Sequence, residues 1–146
     1  MLDITRLECQ ILRILLNFKP LVRIDLHQAY NSEDSKTIGE IVYRAMEEEV
    51  SVPKNDKFQI ITKHDTSEIN IPESYLGIKY TDKIVIIQIT LNGGRSTELK
   101  KKLYKRIAED LNKDLDIRKE DVFISLVEVA KENWSFGNGE AQYAQK

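Results

Sequence analysis

Apolar and polar residues alternate in LVRIDL, where Val22, Ile24 and Leu26 fall on one side, the pattern of a strand with one buried face. The period then lengthens. Ile38, Ile41, Val42, Ala45 and Met46 occupy the i, i+3, i+4, i+7 and i+8 positions of one helical face, so a helix follows the strand. Pro53 ends it, since a proline disfavours helical backbone at the residue before it, and KFQIIT reads as a second strand. Further on, KIVIIQITL is a strand, Leu99, Leu103, Ile107 and Leu111 line a helix, and DVFISLVEV is the returning strand. The chain spells strand, helix, strand, twice.

The two halves overlay at one constant spacing. Ile24 matches Ile89, Leu26 matches Leu91, Val42 matches Ile107, Met46 matches Leu111, Asp56 matches Asp121 and Phe58 matches Phe123, each pair 65 apart (89 − 24, 123 − 58). PKNDKFQII lies over RKEDVFISL in this register with no gap. A helix between two strands is a crossover, which makes the strands of each half parallel and the connection right-handed. The expected fold is α/β (α+β): a duplicated β-α-β, with a four-stranded sheet and two helices on one face. Ile84, Val85, Ile86 and Ile87 are apolar in succession, the mark of a strand buried on both faces. Two helices cover only one face, so the other is expected to meet further copies of the chain in a homo-oligomer.

A chain of 146 residues makes one such domain. Ahead of the first strand, Leu7, Ile11, Ile14, Leu15 and Phe18 form an apolar stripe at helical spacing, with Asp3 or Thr5 placed to cap it. Residues 1–19 therefore read as a helical extension and 20–146 as the domain, with repeats at about 20–64 and 84–129 and a C-terminal segment at 130–146. Arg6, Glu8 and Arg13 interrupt the extension, so it is neither a signal nor a membrane span. The single cysteine, Cys9, excludes an internal disulfide and a cysteine-rich zinc site, and a cytoplasmic location fits. His27 and His64 lack a second ligand at metal spacing, so no metal is expected. With 32% charged residues and a net charge of −2, the composition gives no reason to expect nucleic acid or a membrane. The run KKKLYKR only fills the outer face of the second helix, where Glu98 with Lys102 and Lys105 with Glu109 make i, i+4 pairs.

A double β-α-β repeat opening on PLVRIDL, with VPKNDKFQII, YLGI, VIIQITLNGGRSTELKKKLY and DVFISLVEVAKENWSFGNGEAQY, resembles the tautomerase superfamily. The likeness is closest to its fused two-unit members, the group that includes malonate semialdehyde decarboxylase. The Trp-Ser-Phe-Gly run after the last strand is its most specific element. The resemblance implies the β-α-β tautomerase fold, a trimer packed sheet to sheet, and a small oxo acid as substrate with no cofactor.

It also implies a site. In this superfamily the free amine of a first proline moves a proton at a carbon beside a carbonyl, which requires that its pKa be lowered by an apolar pocket and nearby cations. An arginine grips the substrate carboxylate at two points. Carried over by position, Pro20 is the amine, Asp56 the acidic residue of decarboxylase-like members and Arg95 a substrate-binding arginine, with Trp134 and Phe136 at the pocket wall. The sequence departs from the pattern at two cations: Asn92-Gly93-Gly94-Arg95 lacks the second arginine, and Ala29-Tyr30 stands where a Gly-Arg pair is common. Both departures argue against decarboxylation. Asp56 has an equally plain reading as a turn residue, because Asp121 holds the same place in a repeat where no site is expected. Arg95 has one as the lead-in to a helix capped by Ser-Thr-Glu.

Lys19 precedes Pro20, and a proline inside a chain has an amide nitrogen with no basic lone pair. Three functions remain: a tautomerase whose Pro20 is freed by processing or by a different start, a catalytically silent homologue that binds a ligand, and an oligomeric interaction module.

Overall fold

The computed structural model describes residues 19–144, so the helix expected over 2–18 lies outside the described residues. Strand β1 (Leu21–His27) leads through helix α1 (Ser32–Val50) to a parallel β2 (Phe58–His64). A short hairpin, β3 (Ser74–Tyr75) and β4 (Ile78–Lys79), turns at Leu76 and Gly77, both with positive φ. Then β5 (Val85–Asn92), α2 (Thr97–Leu115) and a parallel β6 (Val122–Val129) repeat the first unit. The helices keep the sequence spacing at both ends, 97 − 32 and 115 − 50 each giving 65.

The sheet runs β2-β1-β5-β6, with β1 and β5 antiparallel and Ile24 opposite Ile87. Two like units that meet along an antiparallel seam are related by a local twofold turn. Val22, Ile24 and Leu26 of β1 and Val85, Ile87, Ile89 and Leu91 of β5 point to one face. They form a single core with Ile38, Val42 and Met46 of α1 and Leu103, Ile107 and Leu111 of α2. The helices run antiparallel over that face and are tied by charge: Arg106 of α2 meets Glu48 and Glu49 of α1, and Arg44 of α1 reaches Asp114 at 3.4 Å.

Side chains cap the helix starts, Asn31 accepting from Asp34 N at 2.7 Å and Ser96 from Leu99 N at 3.2 Å. Helix α1 ends at Val50, ahead of the expected stop at Pro53, because Ser51 turns left-handed at φ 59° and its N–H returns to Met46 O. Asp116, 65 residues on (116 − 51), ends α2 in the same way at φ 55°. On the outer face of α2, Lys105 pairs with Glu109 as expected, whereas Glu98 pairs with Lys101 rather than Lys102.

The opposite face of the sheet is open in the single chain. Phe58 is 50% exposed and Phe123, its repeat partner, 44%. Ile84, Val85 and Ile87 are buried, but Ile86 on the open face is only half-buried and Gln88 beyond it is exposed, so the described residues do not cover β5 on both sides. An apolar concavity of about 460 Å³, with Ile71, Pro72, Tyr75, Ile86 and Phe123 among its walls, lies on this face. Among the described residues no helix is long and apolar enough to cross a membrane.

Candidate functional site

Pro20 stands at the residue before β1 and is buried. It opens on a cavity of about 240 Å³ walled by Lys19, Leu21, Phe58, Trp134 and Phe136. The aromatic wall comes from the segment after β6, and its sequence accounts for its shape. Trp134 donates through Nε1 to Asn92 Oδ1 at 2.7 Å, which anchors the segment to the buried end of β5. Trp134 and Phe136 stack with centroids 5.4 Å apart, and Tyr143 meets Phe136 edge-on at 5.0 Å. Gln142 closes the intervening turn, accepting from Phe136 N at 2.9 Å and donating to Gly137 O at 2.8 Å. Gly137 sits at φ 142° and Gly139 at φ 67°, positions that a side chain would strain.

Asp56 lies between Pro53 and β2. Its backbone N–H donates to Pro53 O at 3.1 Å and to Tyr43 Oη at 3.2 Å, and Tyr43 Oη donates to Pro53 O at 2.6 Å. These bonds hold the backbone of the turn, while the carboxyl accepts no hydrogen bond among the described residues. Burial pushes its pKa up, and the charge of Lys19 works in the other direction. The Tyr143 phenol is raised as well, first by burial and then by the charge of Asp56, so the two groups share one environment. Neither is in the cavity wall proper; they lie on its Lys19 side, where Lys19 Nζ stands 5.4 Å from the Phe136 centroid and 6.0 Å from that of Tyr143.

Arg95 is half-buried and donates through Nη1 to Asn92 O at 2.8 Å. Burial lowers its pKa, opposed by the charge of Glu128. Glu128 is held below the usual carboxylate range, first by its bond from Lys100 and also by Gly94 N at 3.2 Å. Arg95 is not at the cavity wall; Asn92 connects it to Trp134.

Of the residues selected from sequence, Pro20, Trp134 and Phe136 share the cavity, Asp56 neighbours it through Lys19, and Arg95 stands behind Trp134. Sequence reasoning missed Asn92, named only as the start of the stretch that lacks the second arginine, although an amide ending a strand ahead of the Trp-Ser-Phe-Gly run was a signal for it. It also missed Tyr143, the last aromatic of the same run. Tyr30, where a cation was expected from the resemblance, is buried away from this cavity: its hydroxyl donates to Lys83 O at 2.6 Å and is pushed up to about 12, chiefly by burial.

Comparison with known proteins places this arrangement. A family model described as tautomerase enzyme matches residues 56–137. The probable tautomerase YusQ of Bacillus subtilis (strain 168) is 40% identical over 123 residues, 84% of this chain and 97% of that protein. The probable tautomerase YrdN of the same organism is 32% identical over 85% of this chain and 95% of its own. Among solved structures, FG41 malonate semialdehyde decarboxylase inhibited by 3-bromopropiolate superposes with a TM-score of 0.77 at 37% identity, covering 84% of this chain and 93% of that one. A symmetric trimer of wild-type fused 4-OT shares the fold at a TM-score of 0.69 and 16% identity, over 86% of this chain and 99% of that one.

Proposed function

Because the chain belongs to the tautomerase superfamily, we propose that its domain from Pro20 onward is an isomerase that interconverts the enol and oxo forms of a small oxo acid, with Pro20 as the proton-transferring amine. The observation that carries this reading is the position of Pro20, buried at the head of β1 and opening on a cavity walled by Leu21, Phe58, Trp134 and Phe136. A secondary amine there is desolvated on most sides, which disfavours its charged form and makes it a base near neutral pH. The amine removes the enol O–H proton and returns a proton to the adjacent carbon, so the carbon–carbon double bond becomes a carbon–oxygen one with no net loss of atoms. Asp56, on the Lys19 side of the cavity with its pKa raised by burial, relays that proton. Arg95, joined to Trp134 through Asn92, is the cation for the substrate carboxylate in this reading. No cofactor enters.

The matched length supports this division of the chain. The relatives are covered almost fully while about a sixth of this chain is left over, as a domain from 20 to 146 behind an extension of 1–19 would give. The assembly proposed is a homotrimer, the state named for fused 4-OT, joined here through the open sheet face where Phe58, Ile60 and Phe123 are exposed. A chain that begins at Pro20, assayed with the enol of a 2-oxo acid, should convert it well above the solution rate. A folded chain without that acceleration would overturn the reading.

One observation favours a second reading for the intact polypeptide. Lys19 acylates Pro20 and its side chain occupies the cavity's edge, so the chain with Lys19 in place is a catalytically silent binding form. The mass of the protein from its native source distinguishes the two, since a free Pro20 requires loss of residues 1–19.

A further inference from the structure

We infer that in the intact chain Lys19 is the carboxylate-binding cation of the Pro20 cavity, and that the ligand it holds there is a small monocarboxylic acid with an apolar or oxo-substituted body. The ligand class rests on the oxo acid reading above; the role of Lys19 rests on its surroundings. Among the described residues that wall the cavity, Lys19 alone is ionisable. Its ammonium lies over the faces of Phe136 and Tyr143, at 5.4 and 6.0 Å, and takes part in no ion pair or hydrogen bond with another described residue. Ring faces stabilise the charge without accepting its directed N–H bonds, so among the described residues those donors are not taken up.

The neighbours set the kind of anion. Leu21, Phe58, Trp134 and Phe136 are apolar, and Ser135 adds one hydroxyl. A phosphate or dicarboxylate would bring a second charge into a wall with no second cation, whereas a monocarboxylate leaves only an apolar or carbonyl body to be buried. Asp56 stands on the same side, its pKa raised by burial and lowered by the charge of Lys19. Tyr30 is no alternative partner for the ligand, since its hydroxyl is committed to Lys83 O. Lys19 therefore supplies, from the extension side, a positive charge that the rest of the described cavity wall lacks.

A consequence separates this inference from the proposed reaction. Cleavage before Pro20 removes Lys19, so the intact and the shortened chain hold the same acid by different cations. The test uses the intact 146-residue chain labelled with nitrogen-15 and titrated with pyruvate and with acrylate, methyl pyruvate serving as the uncharged control. Saturable shifts at the Trp134 indole N–H and the Ser135 and Phe136 amides are expected with at least one acid and not with the ester. Lys19→Gln should weaken binding at least tenfold, while Lys57→Gln, whose ammonium lies over Tyr43 instead, leaves it unchanged. Absence of saturable binding by both acids, binding of the ester to the same extent, or undiminished affinity in the folded Lys19→Gln chain would each overturn the assignment. Turnover by a chain beginning at Pro20 is scored separately and decides only the proposed reaction.

Discussion

Asp56 and Asp121 occupy the same position in the two repeats and do opposite work. Asp121 is fully buried and saturated: it accepts from Thr81 N at 2.8 Å and Thr81 Oγ1 at 2.6 Å, and Arg118 Nη1 lies 3.6 Å away. Its carboxylate pins the loop before β5 to the turn before β6. Asp56 is only half-buried, its turn is held by backbone and by Tyr43, and its carboxyl is left for other partners. One repeat has used its acid as a structural tie and the other has kept the same acid available beside a cavity. The duplication thus supplies an internal control: a position the two halves use alike belongs to the fold, and one they use differently is a candidate for the site.

The largest test of that comparison is at the strand starts. In a chain beginning at Pro20, Pro20→Ala should lower kcat/KM by about 10²–10⁴-fold, the range of a lost general acid or base. Val85→Ala at the matching position should leave kcat/KM nearly unchanged and instead cost roughly 1–3 kcal/mol of stability, read by denaturant unfolding, because Val85 is fully buried. If both substitutions damaged activity alike, the functional division of the halves would fail.

Next come the two acids themselves. Asp121→Ala leaves Thr81 N–H and Arg118 without their partner and should cost on the order of 3 kcal/mol. Asp56→Ala should cost less than about 1 kcal/mol in the same unfolding measurement, since no hydrogen bond to its carboxyl is lost. A smaller effect sharpens the contrast by pH. The folded-state pKa of Asp56 is raised, so the fold binds its proton more tightly than the unfolded chain does. The stability from this group is fully present below the unfolded value, near 3.8, and is lost as pH rises through the folded one. Asp56→Asn should remove that decline, visible as a stability difference between wild type and variant that changes sign or size between about pH 3 and 7. The smallest effect is expected at Trp134→Phe, which removes the bond to Asn92 Oδ1 and has no counterpart in the other repeat; about 1 kcal/mol should be lost with a modest rise in KM.

The elements were legible because both periodicities were clean. Val22, Ile24 and Leu26 and their partners Ile87, Ile89 and Leu91 all point inward, and the spacing of 65 extends to the helix ends. The stop of α1 lies two residues before the expected one because Ser51, and not Pro53, terminates it, and left-handed backbone at a serine leaves little trace in sequence. The β3–β4 hairpin was not anticipated from YLGI, although Leu76-Gly77 between two tyrosine- and isoleucine-bearing residues was a turn signal. The site was legible only in part. Pro20, Trp134 and Phe136 came from a resemblance that quoted their stretches, whereas the placing of Asn92 between Arg95 and Trp134 depends on how the segment after β6 folds back over β5. Periodicity carries no information about that return path.

The seam between β1 and β5 has a consequence for heredity. When identical separate subunits make an assembly, every substitution appears at every equivalent position, and a residue needed in one place is fixed in all. Joining two units through β1 and β5 in a single polypeptide releases that constraint, because codon 56 and codon 121 can drift apart while the backbone they sit on stays the same. Asp56 and Asp121 are still the same residue; what differs is the set of neighbours each one meets.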